Sequence, residues 1–276
     1  VLEITTPGHR TALVSAAPAL ARNLLRARQE RLSGTLVVVG DPGGTFHLAN
    51  GAIVAVESPG APTVETLLLC SGRVGKAEWA VAYQAGAADG RIGTELIDRT
   101  LVGAAELQLM CHMAALDGAL SVGMGRIDEC LLEPGRGGYH LVAPQGIEPD
   151  WLFQEVSRRI KALASLRIPL CPFKDRLAPT ATGTALLSGS TAGTRREILF
   201  GVNGRRSARD ISFLLGRSLY AVTVELTRMV SEGLVEVPNV THLPQRPAGA
   251  SGLPRRQRGM SGIHEVLPLR PVVDCR

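Results

Sequence analysis

The sequence predicts an α+β protein. It should comprise an antiparallel-strand meander with packed helices, a linker, a small winged helix-turn-helix domain and a disordered C-terminal tail. Three observations predict this. Between residues 34 and 57, β-branched runs are separated by turn dipeptides. From 62 to 167 most apolar residues recur at helical spacing. From 194 to 237, three short helical patterns and an apolar strand follow one another around glycine stops. With 276 residues the chain has room for two modest domains with real cores.

Taken in order, residues 1–33 form an N-terminal arm with a helix over 18–32, where Pro18 suits the first turn and Leu20, Leu24, Leu25 and Leu32 repeat near helical spacing. Arg22, Arg26 and Arg28 line its other face. In the α+β domain, 34–168, "SGTLVVVG" is a strand, "DPGG" a turn and "TFHLA" a second strand. Asn50-Gly51 is the two-residue turn that best matches strand twist, and "AIVAVES" is a third strand. Residues 62–116 are read as helices broken at Gly72, Gly75, Gly86 and Gly90, and after Gly118 "ALSVGMG" and "IDECLLE" are read as strands. One more amphipathic helix covers 150–167, with Trp151, Leu152, Val156, Ile160 and Leu163 on its buried side.

The segment 169–193 is rich in Pro, Gly, Ser, Thr and Ala, and its composition reads as a flexible linker that buries little. The unit 194–240 follows. Thr194 with Glu197, and Ser207 with Asp210, have the spacing of a capping box. Gly216 is a left-handed helix stop. Ser218 opens a third helix with Leu219, Val222, Leu226, Met229 and Val230 as its core stripe, Gly233 ends it, and "LVEV" is a strand. On a winged helix-turn-helix this third helix reads DNA. Tyr220, Thr223, Thr227 and Arg228 are expected to point away from the stripe, beside Arg217 and Ser218 in the turn. With Arg205 and Arg206 they form the candidate DNA-binding set. The unit holds 7 basic and 5 acidic residues, a weak electrostatic footprint, so a protein-docking wing and a purely structural use stay open beside DNA contact. Residues 241–276, with Pro, Gly and Arg and little periodicity, are expected to be disordered.

Charge is segregated. Residues 34–150 carry 6 Lys/Arg against 14 Asp/Glu, whereas 170–276 carry 15 against 8, and the chain as a whole is +5. An acidic domain bracketed by basic segments suits an anionic partner, double-stranded DNA, alongside a regulatory protein partner and a possible homodimer. Five cysteines without a CxxC pair read as scattered thiols of a reducing cytoplasm. No run of 18 apolar residues exists, so no membrane crossing is expected. "TALVSAAPALA" has the apolar run of a signal peptide, but it is short, holds Pro18 and continues into "ARNLLRARQERL".

The order of elements in 33–125 resembles the PATAN-type domain of bacterial signalling proteins. The resemblance rests on Gly34/Leu36, Asn50/Gly51, Ile53 to Ala55, Ile92/Gly93/Leu96, Gly103/Glu106/Leu107 and a final strand motif at Gly118/Leu120/Val122, about a third of the chain. It departs from the family in lacking aromatic residues in that last strand. The resemblance implies a non-catalytic adaptor domain in a regulator, often joined to a receiver or DNA-binding module. Separately, 194–237 looks like the winged helix at the end of some actinobacterial regulators.

Catalytic chemistry finds little support. "GMGRID" from Gly123 has two of the three glycines of a dinucleotide loop but runs into a strand pattern. "GDPGG" could cradle a phosphate, yet between two β-runs it reads as a hairpin. Cys111 and His112 are neighbours on a helix, about 100° apart, and cannot form a dyad. The six histidines are too scattered for a metal site, and Asp89, Glu95 and Asp98 read as a solvated acidic face. The expectation is a non-enzymatic cytoplasmic regulator without cofactors, combining a signal-receiving domain with a DNA-binding winged helix. The alternative is an adaptor whose winged helix docks protein.

Overall fold

Asn50 (φ 51°) and Gly51 (φ 81°) both take left-handed backbone, the conformation a two-residue hairpin turn requires. In the computed structural model, which describes residues 9–135, 141–143, 145–187 and 193–238, this turn joins strands β2 (Gly44–Ala49) and β3 (Ala52–Glu57). With β1 (Gly34–Asp41) and β4 (Arg126–Pro134) they make a four-stranded antiparallel sheet in the order β3-β2-β1-β4. Leu36 lies opposite both Phe46 and Leu132, and Phe46 lies opposite Val56. Period-two alternation thus puts Leu36, Val38, Phe46, Leu48 and Val56 on one apolar face, all buried.

That face is covered by α1 (His9–Gln29) through Leu20, Leu24 and Ala27 and by α5 (Ala104–Met124), and α6 (Pro149–Ala164) packs on these two helices through Leu152, Val156 and Leu163. The short helices α2 (Val64–Cys70), α3 (Lys76–Gly86) and α4 (Ile92–Asp98) complete this first core. A second core is built by α8 (Thr194–Gly201), α9 (Ala208–Leu215) and α10 (Leu219–Ser231), around Ile198, Leu199, Ile211, Val222, Leu226 and Met229. The protein is therefore mixed α and β with an antiparallel sheet.

Besides Trp151, which is exposed rather than on the buried side of α6, four sequence expectations need correction. The first helix begins at His9, so Pro18 sits inside it rather than in its first turn. "ALSVGMG" is no strand: α5 runs unbroken to Met124. Gly118 is there for closeness, because a Cβ at this position would stand 2.8 Å from the Val56 carbonyl oxygen, and only glycine lets the helix lie that near the sheet. The last motif of the PATAN resemblance, Gly118/Leu120/Val122, is thus helical. Third, Thr194 is not a cap; α8 starts after Gly193 with no side-chain cap, and Glu197 pairs with Arg217 instead.

The fourth correction concerns 169–193. Within it Leu170 and Leu177 are buried in the second core. Leu177 exchanges backbone hydrogen bonds with Arg206 and Gly204, and β5 (Ala178–Pro179) pairs with β6 (Val235–Glu236). Helix α7 (Ala181–Leu187) follows, and a Cβ on Gly183 would collide with the Leu234 carbonyl. The segment binds through its backbone, which composition does not reveal. The described residues up to Pro238 form one compact unit; the predicted tail 241–276 lies outside the described residues. Among the described residues no helix is long and apolar enough to cross a membrane.

Candidate functional site

Helix α10 was expected to carry the reading face, and its surroundings decide what that face can do. Ser207 and Asp210 form the capping box of α9, and Gly216 (φ 58°) stops it in the left-handed region. Ser218 then caps α10, accepting from the Ala221 amide at 3.4 Å. Leu219, Val222, Leu226 and Met229 are buried as expected, the last three in the second core. The opposite side of α10 is also covered: Tyr220 and Val224 pack on the core of the sheet domain.

Thr223 and Thr227 share that second face at 100° per residue, and they are 1% and 2% exposed. Each hydroxyl closes on the carbonyl four residues back, Thr223 Oγ1 on Leu219 O at 2.7 Å and Thr227 Oγ1 on Thr223 O at 2.8 Å. Neither points outward, contrary to the sequence expectation, and a threonine satisfied within its own helix can sit in an apolar interface. Tyr220 is half-buried with the Arg159 guanidinium 4.9 Å above its ring. Arg217 is paired with Glu197 at 2.5 Å. Arg228 remains exposed, with Glu225 at 3.6 Å. Arg205 is exposed, while Arg206 is half-buried and donates to the Gly201 carbonyl at 3.1 Å. The structure brings Ser218, Tyr220, Thr223 and Thr227 together, but into an internal joint.

The centre of that joint is Asp117, an acid inside the apolar stretch "CHMAALDGALSVG" of α5. Its carboxylate accepts from the Leu219 amide at 2.7 Å and the Tyr220 amide at 3.3 Å, the first two residues of α10. These are orphan donors at the positive end of the helix dipole, where a carboxylate is favourable. Arg159 stands 3.6 Å away. Burial pushes the Asp117 carboxyl up from the ordinary range, while the Ser218 hydrogen bond, the Arg159 charge and the two amides pull it down. Arg159 also holds Glu155 at 2.9 Å, and Arg158 and Arg159 together bring Glu155 down to about 2. Sequence reading missed Asp117 and Arg159. A lone acid in an otherwise apolar helix was the available signal.

Two further contacts fix the same joint. Arg209 Nε donates to the Pro59 carbonyl at 2.8 Å, and a Cβ on Gly216 would lie 2.5 Å from the Ser71 nitrogen. Beside them, a cleft of about 900 Å³ runs between α5 and α10, lined by Met110, Met113 and Val224 with Arg195 and Arg228 at its edge. Elsewhere, Cys111 is buried, its thiol pushed up to about 11 by desolvation and donating to the Val142 carbonyl at 3.6 Å. Such a thiol is no nucleophile near neutral pH. Among the described residues no group of three His, Cys, Asp or Glu could hold a metal ion.

No protein-family model matches the chain, and no curated protein or solved structure is significantly similar to it.

Proposed function

We propose that this protein is a non-enzymatic regulatory adaptor. Its PATAN-type body carries a winged-helix-type C-terminal unit that docks protein rather than DNA. The observation that carries the reading is the carboxylate of Asp117 on the α10 amides, with Thr223 and Thr227 buried behind it. A helix that reads bases must present its first turn and one open face to the groove. Here the first turn and the face carrying Tyr220, Thr223 and Thr227 are engaged by the protein's own body, which leaves only the side of Arg228 open. The surface left for a partner includes Phe200 on α8 and Leu214 on α9, 78% and 47% exposed. Large apolar side chains in solvent are what an interaction surface offers.

Anisotropy titration with mixed-sequence and selected duplexes, at low and moderate salt, tests this. The adaptor should show only weak, salt-steep and sequence-indifferent binding, unchanged by Arg228→Ala. A duplex whose specific binding falls roughly tenfold or more in Arg228→Ala, the scale of a lost base contact, would defeat the adaptor reading. The transcriptional-regulator reading retains one support, the outward Arg205 and Arg228, and it requires α10 to leave Asp117. Specific DNA binding that appears only in Asp117→Ala would favour it.

A further inference from the structure

The hairpin turn "GDPGG" has a second role in the folded chain. Gly40, Asp41 and Pro42 form one wall of a cleft of about 620 Å³, and the facing wall comes from the turn at Phe173 and Lys174 and from Arg209 on α9. Arg126, the first residue of β4, completes the rim. Three cations from chain segments far apart in sequence therefore converge on one concavity, against a single lining carboxylate, Asp41. Arg126 is exposed with Asp128 at 3.1 Å, and Lys174 is exposed. Arg209, with Asp210 at 3.5 Å, is held in place by its Nε bond to the Pro59 carbonyl. A ligand's phosphates would therefore compete with two surface carboxylates. The same lining also holds apolar side chains, the half-buried Phe173 and Met124.

A cleft lined by three cations and an aromatic ring suits a ligand that carries both an anionic group and a planar one. The volume lies within the range of about 300–1,000 Å³ that small-ligand sites occupy. Arginine and lysine are the side chains that meet phosphate oxygens, bidentately in the case of arginine. A planar base can stack on an aromatic ring. Asp41 is placed to accept from a hydroxyl or an exocyclic amine. We propose that this cleft is a regulatory site for a small phosphorylated ligand of the nucleoside-phosphate class, with Arg126, Lys174 and Arg209 taking the phosphates and Phe173 the base. Because its walls come from both the sheet domain and the C-terminal layer, an occupant ties the two together. The inference is independent of whether the C-terminal unit docks protein or DNA.

Calorimetric titration of the full chain with the four ribonucleoside triphosphates, inorganic triphosphate and adenosine tests it. At least one nucleoside triphosphate should bind, with inorganic triphosphate and adenosine each about tenfold weaker or more. It should also raise the thermal midpoint, as a ligand that binds only the folded state must. Arg126→Gln and Lys174→Gln, both at exposed positions, should each weaken binding several-fold and leave the unliganded midpoint unchanged. Phe173→Leu should weaken nucleotide binding but not triphosphate binding. The site is overturned by any of three results. One is no binding of any of the four at about 5 mM. Another is equal affinity for triphosphate and nucleotide, the mark of a mere polyanion surface. The third is nucleotide binding indifferent to Arg126→Gln and Lys174→Gln.

Discussion

Asp117 joins two parts of the molecule by one carboxylate, and its titration has a definite sign. Burial makes the folded state hold the Asp117 proton more tightly than the unfolded chain does. Its contribution to stability is therefore fully present below the ordinary aspartate range and is lost as pH rises through the raised value. Glu155 runs the other way. Its carboxyl is brought down to about 2, so its contribution is present above the ordinary glutamate range and is lost as pH falls toward that value. Urea midpoints measured across the acid range should separate the two: Asp117→Asn removes the loss on the rising side, and Glu155→Gln removes the loss on the falling side. Asp117→Ala is harsher, since it leaves the Leu219 and Tyr220 amides without their acceptor, and should cost about 2–4 kcal/mol at neutral pH. A loss under about 0.5 kcal/mol would mean that water caps α10 equally well.

At the scale of elements, α10 is constrained on two faces and at its start. Thr223→Val keeps the shape and removes a hydroxyl satisfied only within the helix, so it should change stability by less than about 1 kcal/mol. Thr223→Arg places a charge in the joint and should cost several times more, about 3 kcal/mol or above, whereas Arg228→Ala on the open side should stay within about 0.5 kcal/mol. Equal tolerance of Thr223→Arg and Arg228→Ala in denaturant melts would contradict the burial of this face. Gly216→Ala should cost more than the roughly 1 kcal/mol of a left-handed alanine, because its Cβ would also press on the Ser71 backbone. The same elements show what was legible in the sequence. The Asn50-Gly51 turn, the Ser207–Asp210 box, the Gly216 stop and the Leu219/Val222/Leu226/Met229 stripe are local signals, and local chemistry fixes them. Gly118 reads as the end of a helix and Gly183 as one more small residue of a linker, because what they serve, a near approach to Val56 and to Leu234, is remote in sequence. Thr223 and Thr227 looked exposed because residue type says nothing of a hydroxyl turned back on its own helix. The basic cleft was hidden likewise, its three cations lying at 126, 174 and 209.

For the molecule as a whole, the decisive question is whether the sheet domain and the C-terminal helices unfold together. Two domains on a flexible linker would melt separately, and a mutation in one would leave the other's transition in place. Here Leu177 is held by backbone bonds to Gly204 and Arg206, Asp117 caps α10, Arg209 reaches Pro59, and Tyr220 and Val224 complete the first core. Both tryptophans, Trp79 and Trp151, lie in the sheet domain on α3 and α6 and report on it alone. Leu226 is fully buried in the second core. Leu226→Ala should cost about 2–5 kcal/mol, and the joint should pass that loss to the tryptophan signal, lowering its urea midpoint in step with the helical circular dichroism. A tryptophan transition that stays at the parent's midpoint while the helical signal splits into two steps would show that the two cores stand independently. The Asp117 joint would then be an incidental contact.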